Sequence, residues 1–205
     1  MARDISEAGM AAARALADDI ARQLPKLSDL YENTASLLDR TRGTGILKPE
    51  LAARFACGGI VGRASGRSFD ARRDAAYPPY DTLGFEVPVL EDGDVDARVW
   101  IRLREIEQSL LLIGQILDRL PRGPIATPAP SGASHREGAA LVEAFRGDVL
   151  VWLRLEGDSR IARCHLRDAS WFQWPLLEAA IEGNIVADFP LCNKSFNCSY
   201  SGHDL

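Results

Sequence analysis

The chain has 205 residues, of which 46% are hydrophobic and 26% charged, and its formal net charge is −5. This composition is ordinary for a soluble globular protein, and the acidic balance argues against a generic nucleic-acid or anionic-membrane surface. The longest apolar run, residues 110–113, is too short to cross a bilayer, so we expect membrane association only through partner subunits.

Residues 1–42 are predicted to form two helices. Ala12, Leu16 and Ile20 recur every four residues on one face of a first helix over about 5–24. Pro25 is expected to end or kink that helix. Gly43 and Gly45 are expected to stop a second helix. Its inward-facing residues are predicted to be Leu27, Leu30, Tyr31, Leu37 and Leu38.

Residues 43–124 form a central block. Its first part, 46–96, is rich in glycine, proline and aspartate and is expected to be irregular, with a short edge strand near 85–89. The clearest element is a helix over 96–120, capped by Asp94 or Asp96 and stopped by Pro121. Its heptad spacing is compatible with a coiled-coil dimer, but the short repeat and wide stripe favour an intramolecular bundle.

Residues 125–139 are predicted to be a loop, followed by a hairpin, helix and tail over 140–205. Alternating apolar residues predict strands over 148–155 and 160–166, with a turn at 157–159. Ser170 is expected to cap a helix that continues to about Glu182. The predicted fold class is α+β, mainly α: a long-helix bundle with a small antiparallel β-hairpin.

Residues 59–72 place glycines among charged residues, including Arg63, Asp70 and Arg72. The segment is not a P-loop, because it lacks the Gly-Lys-Ser/Thr end that binds nucleotide phosphate. It resembles the G-x-x-x-R-x-[ST]-G-x-x-x-D-x-R block of the D-type subunit of NADH–quinone oxidoreductase (complex I) and of membrane-bound (group 4) nickel–iron hydrogenase large subunits. The resemblance continues through Y-x-x-Y-D-x-x-x-F-x-V-P at 77–88, through 93–109 and through L-P-R-G-P at 120–124.

The C-terminal segment, D-F-P-L-C-N-K-S-F-N-C-S-Y-S-G-H-D-L at 188–205, resembles the metal-binding end of the same hydrogenases. Ser199 and Gly202 occupy the positions of the two ligand cysteines. Since soft thiolate sulfur holds such a metal, the resemblance implies a hydrogenase-like frame without nickel. Residues 143–147, E-A-F-R-G, resemble an E-A-P-R-G block, with Phe145 in place of proline. Val151 stands where many members carry histidine, which argues against proton handling there.

The resemblance makes Arg63, Asp70, Glu143 and Arg146 the expected cavity-lining or structural residues. A structural network of ion pairs and loop anchors, which would include Arg72 and Arg98, is the plainer interpretation, since buried charges need partners. Arg102 and Glu105 lie three apart on one helical face and can pair. No catalytic residue is expected.

The four cysteines are scattered, which suggests reduced thiols and a cytoplasmic location. No paired C-x-x-C supports a zinc site or an iron–sulfur cluster. A metal-using enzyme that binds through Cys192, Cys198 and His203 stays open as an alternative, and ordinary thiols are the plainer interpretation.

The resemblance implies a partial D-type subunit of an NADH–quinone oxidoreductase or group 4 hydrogenase-like electron-transfer complex. The chain would be a single partial domain, matching the C-terminal half of longer relatives, and a separate polypeptide could supply the N-terminal half. It would form scaffold beside an iron–sulfur subunit and a quinone or vestigial metal cavity. It would bind no cofactor alone, with quinone and NADH acting at the level of the complex, and would lie on the cytoplasmic face of the inner membrane. The alternative is a non-catalytic interaction or assembly protein that keeps only the scaffold.

Overall fold

The computed structural model describes residues 4–121, 123–126, 135–157 and 160–203. Two long helices, α1 (Glu7–Glu32) and α6 (Val95–Arg119), pack against each other. Short helices fill the region between and beside them: α2 (Ala35–Thr41), α3 (Pro49–Arg54), α4 (Gly59–Ala64) and α5 (Ala71–Asp74). The C-terminal part contains a sheet of β1 (His135–Ala144), β2 (Gly147–Glu156) and β3 (Arg160–Arg167), then α7 (Ser170–Ile181) and α8 (Phe189–Phe196).

Helix α6 confirms the prediction of a long helix within an intramolecular bundle. It begins and ends within one residue of the predicted bounds, and Asp94 caps it by accepting the Ala97 N–H at 2.7 Å. Tyr31 of α1 donates a hydrogen bond to Asp96 Oδ1 at 2.7 Å and packs edge-on against Trp100. Burial and the hydrogen bond to Asp96 together raise the pKa of Tyr31 to about 12. The Tyr31 hydroxyl that joins α1 to α6 is therefore protonated at neutral pH.

Helix α1 does not end at Pro25, which lies inside one continuous helix, so the predicted end at this residue is wrong. The proline removes one backbone donor, a loss that is tolerated where packing over the rest of the helix holds it in place. The prediction that Leu27, Leu30 and Leu37 face inward is also wrong, since all three are exposed. In the same helix as Pro25, Leu16 and Ile20 are exposed as well, and Leu24 is buried.

The segment over 84–86 forms hydrogen bonds to α6 instead of the predicted edge strand. Gln115 bonds both the N–H and the carbonyl of Gly84, at 2.9 and 2.6 Å. Gln108 Oε1 accepts the Glu86 N–H at 2.8 Å. Two glutamine side chains thus satisfy backbone groups that a neighbouring strand would otherwise pair.

The sheet has three antiparallel strands in the order β1-β2-β3, one strand more than the predicted hairpin. The loop predicted over 125–139 is therefore wrong from residue 135 onward, and residues 127–134 lie outside the described ranges. Of the predicted turn at 157–159, only Gly157 is described, with φ +51°. The pairing of β2 with β3 confirms the predicted hairpin.

Two buried apolar clusters hold these elements together. The larger joins α3 and α4 to α7 and α8 and contains three of the four cysteines; the smaller joins α4 to α6. Ser170 begins α7 but does not cap it, because its Oγ accepts the Ser199 N–H at 2.9 Å. The C-terminal tail is thereby fixed to the start of α7. Within the described ranges, no helix is both long and apolar enough to span a bilayer.

Candidate functional site

A buried ion-pair network surrounds Arg63, a residue of α4 whose side chain is 2% exposed. Its Nε donates to Glu105 Oε1 at 2.6 Å, and its Nη1 donates to Glu143 Oε1 at 2.9 Å. Nη1 also donates to the carbonyl oxygen of Phe69 at 3.1 Å. One guanidinium therefore joins α4 to α6, to β1 and to the segment that precedes α5.

Asp70 lies in the same network and is fully buried. Arg72 donates to it from Nε at 3.0 Å and from Nη2 at 2.6 Å, a fork that also stacks over Phe85 at 5.0 Å. Burial alone would raise the pKa of Asp70, but the Arg72 hydrogen bonds and the Arg63 charge outweigh it and hold that pKa below its ordinary value. Asp70 is therefore an ionised anchor.

Glu143 is the carboxylate of the network whose burial is least offset by neighbouring positive charge. Its Oε2 accepts the Ala71 N–H at 2.9 Å, and its own N–H donates to Tyr77 Oη at 3.2 Å. Burial raises the pKa of Glu143 above its ordinary value, although the charge of Arg63 opposes the shift. The network contains the carboxylates of Asp70, Glu105 and Glu143 against two guanidiniums, so one carboxylate lacks a full countercharge.

Arg102 and Glu105, whose spacing would allow them to pair, bind other partners. Glu105 binds Arg63, and Arg102 donates to the backbone carbonyls of Arg98 and Ser195 at 3.1 and 2.6 Å. Side-chain spacing on the helix permits the pair, but α4 and α8 supply better partners for both residues.

Arg98 is a second buried arginine, and it anchors loops rather than carboxylates. Its guanidinium donates to Gly93 O at 2.6 Å, to Gly45 O at 2.8 Å and to Ser195 Oγ at 2.9 Å. Burial lowers the pKa of Arg98 to about 10, which still leaves it charged at neutral pH. Its hydrogen bonds join α6 to α8 and to the turn before α3.

A polar cleft of about 460 Å³ lies at the end of α8. The Nε of Arg146 donates to the Asn197 carbonyl at 2.6 Å, and Gln173 Nε2 donates to the Arg146 carbonyl at 2.7 Å. Asn197 ends α8 with φ +57°, a left-handed conformation that asparagine tolerates. The lining residues are Arg146, Asn193, Lys194, Asn197, Cys198, Ser199, Tyr200 and Ser201.

The structure thus brings Arg63, Asp70 and Glu143 into one network and places Arg146 apart, beside the tail. The sequence reasoning did not find Gln173 or Lys194. Lys194 lies inside the matched C-terminal motif but at one of its variable positions, and Gln173 lies outside every motif. No local signal identifies either one.

Ser199 and Gly202 bond to each other rather than leaving a vacant ligand position. Ser199 Oγ accepts the Gly202 N–H at 3.0 Å, and Trp171 Nε1 donates to the Gly202 carbonyl at 2.7 Å. A Cβ at Gly202 would lie 2.8 Å from Asp168 Cγ and 2.9 Å from Ser199 Oγ. A cysteine therefore does not fit at position 202 without displacing its neighbours.

The remaining thiols do not form a ligand set with His203. Cys192 and Cys198 are buried, whereas His203 is exposed and packs edge-on against Trp174. Burial raises the pKa of Cys198 to about 11, so the free thiol is protonated at neutral pH. Across residues 4–121, 123–126, 135–157 and 160–203, no three His, Cys, Asp or Glu side chains are grouped to hold a metal.

The sheet has an apolar face that the rest of the described chain covers only in part, with half-buried residues along β2 and exposed ones at its margins. Val151 lies at its centre, between Ala140 of β1 and Leu166 of β3. Side chains two apart on a strand share a face, so Leu153 and Leu155 continue the surface along β2. Toward the start of β3, Ile161 is 62% exposed. The opposite face carries Arg154 and its cross-strand neighbours Glu137 and Arg163.

Comparison with known families gives a match along nearly the whole chain. The family described as "Respiratory-chain NADH dehydrogenase, 49 Kd subunit" matches residues 1–139 and 130–204. The two matched ranges together contain the Arg63 network, the sheet and the C-terminal cleft.

Among curated proteins, formate hydrogenlyase subunit 5 of Escherichia coli K12 is 34% identical over 98% of this chain and 36% of its own length. The carbon monoxide-induced hydrogenase of Rhodospirillum rubrum is 35% identical over 82% of this chain and 46% of its own. The D-type subunit of NADH-quinone oxidoreductase from Syntrophobacter fumaroxidans is 35% identical over 91% of this chain and 51% of its own. The chain thus spans between about a third and a half of the length of these relatives.

A solved structure supports the fold directly. A chain of the membrane-bound sulfane sulfur reductase, an archaeal respiratory membrane complex, superposes with a TM-score of 0.91 at 28% identity. The superposition covers 100% of this chain and 57% of that one. The helical bundle with its small sheet is therefore an arrangement that an experimental structure also shows.

Proposed function

The chain belongs to the family of the 49 kDa subunit of respiratory-chain NADH dehydrogenase, and from this premise we propose that it is a scaffold part of an electron-transfer complex. The complex would be of the NADH–quinone oxidoreductase or group 4 hydrogenase kind. In it the chain supplies packing surfaces and fixed charges, and electrons pass through the iron–sulfur clusters of a partner subunit.

The observation that carries the proposal is the geometry at Ser199 and Gly202. A nickel site needs thiolates, and here a hydroxyl and a glycine take the two positions and bond to each other at 3.0 Å. Asp168 occupies the space that a side chain at 202 would need. The residues present do not fit nickel, so no step of the reaction is assigned to a metal on this chain.

We infer the partners from the partly covered apolar face of the sheet. Contiguous exposed apolar surface marks interaction sites in soluble proteins. We expect the Val151 face of the sheet to pack against the rest of the large-subunit fold, carried by this polypeptide or another. An iron–sulfur subunit then lies against the assembled domain, quinone and NADH act elsewhere in the complex, and attachment to the cytoplasmic face of the inner membrane comes through partners.

Affinity isolation from native membranes tests this proposal. We expect the tagged chain to co-purify with an iron–sulfur subunit and with membrane subunits of the same complex. The variant Ile161→Asp places a charge on the apolar face and should lower the recovery of partners at least fivefold, or about 1 kcal/mol. Arg163→Asp, a charge change at an exposed position on the opposite face, is the matched control and should leave recovery unchanged.

Recovery of the wild-type chain without any other subunit would contradict the proposal. Equal loss in both variants would show that the apolar face is not the contact. Far-UV circular dichroism of each purified variant distinguishes lost binding from lost folding.

A role as an interaction or assembly protein is the second candidate. The serine and glycine at the two expected cysteine positions favour this second candidate, because a scaffold for assembly needs no metal. Such a protein would be found with subcomplexes and be absent from the mature complex. Neighbouring reading frames for an iron–sulfur subunit and antiporter-like membrane subunits favour the first function, and their absence favours the second.

A further inference from the structure

We propose that the polar cleft at the end of α8 binds a small oxyanion, of the carboxylate or phosphate type, through Arg146 and Lys194. The cleft is lined by residues of α8, the C-terminal tail and the β1–β2 turn. This inference goes beyond the scaffold function and needs no partner subunit, since every contributing residue lies on this chain.

Arg146 is the main anion-binding group. Its Nε is held by the Asn197 carbonyl at 2.6 Å, which fixes the orientation of the guanidinium. Within the described ranges, neither of its terminal amino groups donates to a protein acceptor, although an arginine carries five N–H donors. Free terminal amino groups on a guanidinium match the two oxygens of a carboxylate or phosphate.

Arg146 differs from four other arginines of the interior, each of which has at least one terminal amino group that donates to a protein acceptor. Arg63 and Arg72 bind carboxylates, and Arg98 binds two carbonyls and a hydroxyl. Arg167 pairs with Asp148. A half-buried arginine whose terminal amino groups have no acceptor is therefore an exception among these described residues, and an anion in the cleft would complete its hydrogen bonds.

Hydroxyl groups that line the cleft can add donors. Ser199 Oγ accepts the Gly202 N–H at 3.0 Å, and it shares a 3.4 Å hydrogen bond with Ser201 Oγ in which either hydroxyl can be the donor. One of these two hydroxyl protons therefore remains available to a ligand. The Tyr200 hydroxyl accepts from Asn193 Nδ2 at 3.1 Å, which likewise leaves its proton free to donate.

The charge of the lining selects an anion over a cation. Arg146 and Lys194 are the charged residues among the eight that line the cleft, and none of those eight is a carboxylate. Asp168 lies nearby behind Gly202, where its Oδ1 accepts the Ser170 N–H at 2.8 Å. A volume of about 460 Å³ lies within the range of small-molecule sites.

Isothermal titration of the purified full chain tests the site, with inorganic phosphate in one arm and acetate in the other. Chloride is exchanged for each anion at constant ionic strength, which separates binding from screening. We expect one saturable site for at least one of the two anions, and the comparison identifies which oxyanion class is preferred.

Arg146→Gln should weaken binding by at least about tenfold, because charge-assisted hydrogen bonds are lost. Lys194→Ala should weaken it by about threefold to tenfold, since this exposed charge is partly screened. Lys26→Ala removes an exposed helical lysine far along the chain and is the matched control, for which we expect no change. If Arg146→Gln fails to fold, Lys194→Glu and Ser201→Ala carry the test, because both side chains are exposed.

A saturable response in the wild-type chain that is reduced by Lys194→Glu but not by Lys26→Ala establishes the site. Heats that match the chloride blank for both anions overturn it, and so does equal affinity in Lys194→Glu and Lys26→Ala. Neither result depends on co-purification, so the scaffold function and the anion site can fail separately.

Discussion

Replacing Arg63 by methionine should be the most damaging single change in the buried network. The methionine keeps the apolar stem of the side chain and removes the guanidinium, with its bonds to Glu105, Glu143 and the Phe69 carbonyl. Breaking a buried ion pair by removing one partner costs about 3–5 kcal/mol. Because a domain of ordinary stability has about 5–15 kcal/mol in total, the variant should lose a substantial fraction of its free energy of unfolding.

The loss should be concentrated at Glu143. Asp70 keeps the Arg72 fork, and Glu105, whose side chain is 18% exposed, can be hydrated instead. Glu143 is 4% exposed and would keep only the Ala71 N–H as a partner. The second change Glu143→Gln should therefore recover part of the stability, and the two substitutions should be non-additive by about 1–3 kcal/mol.

Urea unfolding followed by far-UV circular dichroism measures these differences from the midpoints and slopes. Arg73→Met is the matched control, since Arg73 pairs with Asp74 in a solvent-accessible contact that is worth at most about 1 kcal/mol. Equal decreases in the free energy of unfolding for Arg63→Met and Arg73→Met, with unchanged slopes, would contradict a central role for Arg63. A full additional cost of Glu143→Gln in the Arg63→Met background would contradict the predicted coupling of the two residues.

Three further predictions concern the stability of the fold. Gly93→Ala should lower the free energy of unfolding by more than about 3 kcal/mol, because φ is +67° and a Cβ would lie 2.1 Å from the Leu47 carbonyl oxygen. Gly43→Ala, with φ +72° and no atom within 4 Å, should cost only about 1–2 kcal/mol in the same urea assay, and equal costs would contradict the packing argument. Asp94→Ala should cost about 1–2 kcal/mol through loss of the α6 cap and should leave the urea slope unchanged. Glu143→Gln should flatten the pH dependence of unfolding: burial holds the pKa of Glu143 above its ordinary value, so wild-type stability falls as pH rises from the unfolded to the folded pKa, and the same loss in the variant would exclude this residue as its source.

The position of α6 and the family were predictable because both depend on short-range patterns. Helical periodicity over 96–120 and a capping aspartate are local properties, and the helix forms within one residue of those bounds. The ordered motifs from Gly59 to Pro124 and at the C-terminus identified the family without any contact information. That positions 199 and 202 carry serine and glycine is likewise read directly from the sequence.

Strand β1 was missed because its stability does not come from its own residues. Gly138, Ala139 and Ala140 have low strand propensity, and they are held by cross-strand pairing with Leu153, Trp152 and Val151. The continuity of α1 through Pro25 has a similar origin, since packing of α1 against α6 holds the helix together.

By itself the sequence determined the helical class, the long central helix and the family, since each depends on patterns among neighbouring residues. Only the tertiary structure decided which charges meet. It pairs Glu105 with Arg63 rather than with Arg102, joins Arg63 to Glu143 from a distant strand, and sets Arg146 and Lys194 around one cleft. Partners of this kind are chosen by distance and burial after the chain has packed, and no spacing along the chain encodes them.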